Sequence, residues 1–195
     1  MEIVSDISET EWREALNRFE GATIYHTPAW KRFLESVFGF MPCYLFALDE
    51  TGGLRGLLPL FQIKSWITGE RLCSVPFSHT CGPVGDEDCI AALIGRAIEI
   101  YRDSRGSHLE IRSRIERAGF QNVNHFSTYV LDLSSDIDQV WRKLDKGSVR
   151  RAIKKSQKSG LIVDVTKDPE DIDAFYELNT ITKRNKGVPC HTLIL

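Results

Sequence analysis

The order of helix and strand signals that opens this chain begins again after Leu133, and that restart limits the fold more than any single motif does. Ser8-Glu-Thr-Glu11 is a capping-box pattern ahead of Trp12, Leu16 and Phe19, which predicts a helix over about 9–19. Thr27 followed by Pro28 starts a second helix bearing Trp30, Phe33, Leu34, Val37 and Phe38, and Gly39 is placed to end it. Apolar runs at 43–48 and 54–63 flank the turn Asp49-Glu-Thr-Gly-Gly53 and read as a hairpin. Pro59 has no N–H to donate, so a bulge or a sheet edge is expected there. A strand over 71–75, a Pro- and Gly-rich loop over 74–86, a helix over 87–103 and strands over 108–112 and 126–133 complete the first pattern. Then Ser134 or Ser135 caps a helix with Ile137, Val140, Trp141 and Leu144, a basic helix covers 146–159, a Gly-led strand covers 160–165, and a helix opens at Asp168. Trp12-Arg13 and Trp141-Arg142 fall at similar places in the two helix pairs, a weak internal repeat.

This alternation predicts an α/β (α+β) fold: a mixed sheet flanked by helices over 1–133, and the partial start of a second copy over 134–195 carrying the basic helix. A partial sheet leaves an open edge and an unfinished core, so self-association is expected of the second part. Composition is ordinary for a globular chain, at 42% hydrophobic and 27% charged residues. The formal net charge of -2 supplies no overall attraction to nucleic acid or anionic lipid, so any such affinity has to come from local clustering. No apolar run approaches the roughly 20 residues of a membrane span, and the N-terminus lacks the pattern of a signal peptide, so a cytoplasmic location is expected. Five cysteines with no CxxC pair suit reduced thiols, and neither His79-Thr-Cys81 nor Cys190-His191 has zinc-site spacing, so no metal is expected.

Local clustering does occur. Residues 142–160 hold eight basic side chains and one acid, Asp145. On a helix, Arg150, Arg151, Lys154, Lys155 and Lys158 recur on one side, with Val149, Ala152, Ile153 and Ser156 opposite. Same-sign charges this close repel each other without a partner, which points to a phosphate-dense ligand such as tRNA, coenzyme A, a nucleotide sugar or a lipid pyrophosphate. A solvated helix face is the bland alternative. No acid, base or nucleophile stands out: His26, His79, His108 and His125 are scattered, and there is neither a Walker loop nor a GxGxxG fingerprint.

The order of Gly82-Pro-Val-Gly-Asp86, the basic helix with its closing Gly160, the Asp168-capped helix and Thr182-Lys-Arg-Asn-Lys-Gly-Val-Pro189 resembles the FemAB family of aminoacyltransferases, built from two GNAT-like domains. The resemblance runs over nearly the whole chain, with the second domain truncated. It implies N-acyl transfer from aminoacyl-tRNA, or from another activated donor such as an acyl-CoA co-substrate, to an amine of a peptidoglycan-precursor-like acceptor at the inner face of the membrane, in cell-wall biogenesis. No cofactor is implied. The Gln/Arg-x-x-Gly-x-Gly/Ala turn that holds acetyl-CoA in standard GNAT enzymes is absent, which argues against a plain acetyl-CoA enzyme. Lys146, Arg150, Arg151, Lys154, Lys155 and Lys158 are the implied phosphate-binding residues, and Trp30, Lys31, Arg32, Lys183 and Arg184 the acceptor-side candidates; catalytic residues are not identified. The alternative is a noncatalytic module that binds RNA or an anionic glycolipid, and the truncation makes an inactive chain the expectation.

Overall fold

A computed structural model describes residues 1–66, 69–104, 106–117, 119–123, 127 and 129–190. The chain divides into two compact units, Met1–Phe126 and Ser127–Leu195. The first unit is α+β. Its strands are β1 (Glu2–Val4), β2 (Met41–Pro42), β3 (Leu45–Leu48), β4 (Leu54–Leu58), β5 (Leu60–Ser65), β6 (Gly69–Ser74), β7 (Val84–Gly85) and β8 (Leu109–Glu110). Its helices are α1 (Glu9–Leu16), α2 (Pro28–Phe38) and α3 (Glu87–Asp103), with a 3-10 turn at Ile24–His26.

Two four-stranded sheets form, ordered β1-β3-β4-β7 and β2-β5-β6-β8, with β6 and β8 the parallel pair. Strand β3 and the residue before it are buried on both faces, and their side chains divide with a period of two. Tyr44 and Phe46 join Trp12 and Leu34 in the core under α1 and α2, while Leu45 and Ala47 join Leu93 and Ala97 in the core under α3. The expected 54–63 strand is divided at Pro59. Side-chain alternation carries straight through, with Leu57 and Phe61 in the first core and Leu58 and Leu60 in the second. Hydrogen-bond partners change instead: β4 pairs with β3 and β7, and β5 pairs with β2 and β6. A proline at the junction leaves no donor for either ladder, so the chain passes from one sheet to the other at that residue.

Helix ends follow their cap residues. Ser8 accepts from the Glu11 N–H, Thr27 from the Trp30 N–H, and Gly39 closes α2 at φ 63°, a left-handed conformation that glycine adopts without a Cβ penalty. The first helix stops at Leu16, three residues short of the expected end.

The second unit is helical: α4 (Ile137–Lys143), a π-helical turn over Lys146–Arg150, α5 (Arg151–Lys158) and α6 (Pro169–Asn185). Asp136, and neither Ser134 nor Ser135, caps α4, accepting from the N–H groups of Asp138 and Gln139 at 2.9 and 3.3 Å. The strand expected over 160–165 does not form: residues 161–168 belong to no sheet, because no described segment of the unit offers a partner for their N–H and C=O groups. Of the 126–133 strand, Phe126 and Thr128 lie outside the described residues, and residues 129–133 are unpaired. His125, His191 and the last four residues also lie outside the described residues.

Candidate functional site

The basic segment is organised from its N-terminal end. The Asp145 carboxylate accepts from the Ser148 N–H at 2.7 Å and from the Ser148 hydroxyl, and these bonds, with a smaller contribution from Arg150, hold it below the usual carboxylate range. That cap starts the π-helical turn, which runs directly into α5. Ile153 and Ser156 lie half-buried on one stripe of α5, and Arg151, Lys154, Lys155 and Lys158 are exposed on the other.

All six predicted phosphate-binding residues converge. Lys146, Arg150, Arg151, Lys154, Lys155 and Lys158 line one open groove of about 620 Å³, together with Trp141 from α4 and Ser159. Among the described residues none of the six cations forms an ion pair. Arg150 is half-buried, and its Nε is enclosed without a hydrogen-bond partner. Such a set is electrostatically incomplete, since a buried guanidinium N–H with no acceptor costs free energy. Trp141 has no equivalent among the expected site residues. In sequence it stood on the apolar stripe of its helix with Ile137, Val140 and Leu144 and in the Trp-Arg repeat with Trp12, which is buried in the core of the first unit.

The acceptor-side candidates are distributed between the units. Lys31 pairs with Glu35 at 3.6 Å and lies 6.0 Å from the centroid of the Tyr44 ring, Arg32 pairs with Glu9, and Trp30 packs edge-on against Tyr25. Both cations are thus engaged within the first unit. Lys183 and Arg184 occupy the last turn of α6, where the Lys183 carbonyl accepts from the N–H groups of Lys186 and Val188.

The Gly82-Pro-Val-Gly-Asp86 turn is explained by packing. A Cβ on Gly85, at φ 126°, would lie 2.2 Å from the Arg55 carbonyl oxygen, and one on Gly82 would lie 2.3 Å from the Ser113 Cβ. Asp86 then heads α3 and pairs with Arg55. Behind the turn sits His26, a residue that looked isolated in sequence. Its Nδ1 accepts from the Thr23 N–H at 3.1 Å, which places the ring proton on Nε2, and Nε2–H donates to the Gly82 carbonyl at 2.9 Å. Burial lowers its pKa. Thr23, three residues ahead, was the available clue, because the pair forms a capping box with His in the role usually taken by Glu. Cys81 Sγ lies 3.7 Å from Nε2, but burial pushes this thiol up to about 12, so the pair cannot supply a thiolate near neutral pH.

No family model matches this chain. No curated protein matches it either. Among solved structures it is similar to a GNAT family acetyltransferase of Staphylococcus aureus, at 11% identity and a TM-score of 0.43 over 67% of this chain and 100% of that one. It is also similar to a candidate acetyl transferase of Pyrococcus furiosus, at 13% identity and a TM-score of 0.38 over 63% of this chain and 90% of that one. No residue role passes to this chain from likenesses of this size. Among the described residues no helix is long and apolar enough to cross a membrane.

Proposed function

We propose that this chain binds a phosphate-dense ligand in the α4–α5 groove and does so as part of a FemAB-type N-acyltransferase, in which an amine of an envelope precursor takes an acyl or aminoacyl group from aminoacyl-tRNA or another activated donor. The observation that carries the reading is the gathering of six cations without ion pairs on one groove. Phosphate oxygens are the acceptors that such a set lacks, and charge-assisted bonds to them are about twice as strong as neutral ones. Acyl transfer of this kind is aminolysis: the amine nitrogen attacks the carbonyl carbon of the ester or thioester, the C–O or C–S bond to the donor breaks, and the proton lost by the amine ends on the departing oxygen or sulfur by way of solvent or substrate. Proximity and backbone donors for the oxyanion are its main requirements. In this reading Trp30, Lys31, Arg32, Lys183 and Arg184 are acceptor-side residues, and the protein works in the cytoplasm at the inner face of the membrane.

A specific feature favours the second reading, a noncatalytic module binding RNA or an anionic glycolipid: among the described residues the groove lining holds no carboxylate, histidine or cysteine. One experiment separates the two. The full chain is given charged tRNA or acyl-CoA with a peptidoglycan-type amine, beside a variant in which Arg150, Arg151, Lys154 and Lys155 are all changed to Glu. Turnover that the variant loses supports the acyltransferase, and polyanion binding without turnover supports the module. The variant should lose tRNA and heparin binding while its stability changes by no more than about 1 kcal/mol, because Arg151, Lys154 and Lys155 are exposed, the half-buried Arg150 gives up no ion pair, and charges of this kind contribute little to folding. Binding that survives the fourfold reversal, or is absent from the parent, removes both readings.

A further inference from the structure

We infer that the groove's ligand is an unpaired polynucleotide strand, with Trp141 as the surface on which one of its bases stacks. The inference rests on the phosphate-binding reading above and adds the class of ligand. Length is the first argument. From Lys146 to Lys158 the cations extend along about 18 Å of helix at about 1.5 Å per residue, and six of them exceed what one pyrophosphate can engage. Several successive phosphates fit that distribution, as in a nucleic-acid backbone. Chemistry is the second. The same lining includes the half-buried indole of Trp141, and a cationic track beside an aromatic side chain is how proteins hold single strands without reading sequence, since every base has a π face. Shape is the third. Bases in a duplex are stacked on each other and closed to an indole, whereas an unpaired end presents them.

The test uses the full chain and a labelled single-stranded RNA oligonucleotide of mixed sequence, read by anisotropy so that Trp12, Trp30 and Trp66 do not contribute. Trp141→Leu removes the aromatic face while keeping apolar bulk, and Trp141→Phe keeps a stacking ring. We expect Trp141→Leu to weaken RNA binding about 5- to 150-fold and Trp141→Phe to restore most of that loss. Heparin affinity should stay unchanged in both variants, which also reports that the cationic helix is still formed. Six phosphate contacts at about 0.7 each predict a slope of about -4 for log K against log salt, retained in Trp141→Leu. Equal RNA binding by parent and Trp141→Leu overturns the stacking role, as does a parallel loss of RNA and heparin binding. Equal affinity for a duplex, or capture by phosphatidylglycerol vesicles with no RNA binding, overturns the ligand class while leaving the phosphate reading standing. A parent chain that binds neither heparin nor RNA removes the phosphate reading as well.

Discussion

His26 illustrates how one side chain fixes the geometry of a distant motif. Its ring ties the chain ahead of α2 to the Gly82 carbonyl, and both ring nitrogens are used, so the neutral tautomer is the one that the fold accommodates. The pKa is lowered in the folded state, so the unfolded chain binds the proton more readily. The stability this group contributes is therefore complete above its unfolded value of about 6.5 and falls as pH drops from there through the folded pKa. Urea unfolding of parent and His26→Gln at pH 7.5 and at mildly acidic pH should show a shallower pH dependence in the variant. At pH 7.5 the variant should be less stable by about 1–3 kcal/mol, because buried groups lose their partners. Identical pH slopes would show that the imidazole is not the titrating group. In sequence His26 was one of several scattered histidines; its partners lie 3 and 56 residues away, and only the nearer one leaves a local pattern.

At the scale of elements, the turn before α3 separates structural glycines from replaceable ones. Gly85 has φ 126° and rests against the backbone of β4, so Gly85→Ala should cost about 3 kcal/mol, combining left-handed strain with displacement of the neighbouring strand. Gly95, inside α3, has nothing within 4 Å of where its Cβ would be, so Gly95→Ala should stabilise by about 0.5–1 kcal/mol. Thermal or urea unfolding of the two variants checks the contrast, and a neutral Gly85→Ala would mean that the β4–β7 contact is dispensable. Helices were legible because their cap residues adjoin them: Thr27 and Gly39 bracket α2, and Asp168 with Pro169 opens α6. The six groove cations were legible for a related reason, since four-residue spacing is itself a helical address. Trp141 as a groove wall was not, because that depends on how the chain turns between α4 and α5, and Leu144, Asp145 and the π-helical turn set that locally. The 160–165 segment has strand composition and yet no strand, since composition supplies β-propensity but only a neighbour supplies a ladder.

Across the whole molecule, the two units differ in how much apolar surface they bury. The first has two cores holding Trp12, Leu34, Phe46, Leu57, Phe61 and Leu93. In the second no described residue is buried. Ile162, Val163 and Val165 are each more than 90% exposed on a segment that belongs to no sheet, and Phe175, Leu178 and Ile181 form an exposed stripe on α6. Apolar side chains gathered in this way are unstable in water and bind one another or a dye, and an unpaired β-prone segment is a template for intermolecular pairing. The chain should therefore self-associate reversibly as its concentration rises and should bind a hydrophobic dye in its native state. Charging the segment with Ile162→Lys and Val163→Glu should reduce both effects. The main thermal transition should stay unchanged, because that transition reports the cores of the first unit. Sedimentation velocity over a wide concentration range, run beside dye binding and calorimetry, gives the answer. A monodisperse monomer that binds no dye would mean that the second unit buries these side chains in solution, and the account of it as a helical unit without a core of its own would then be wrong.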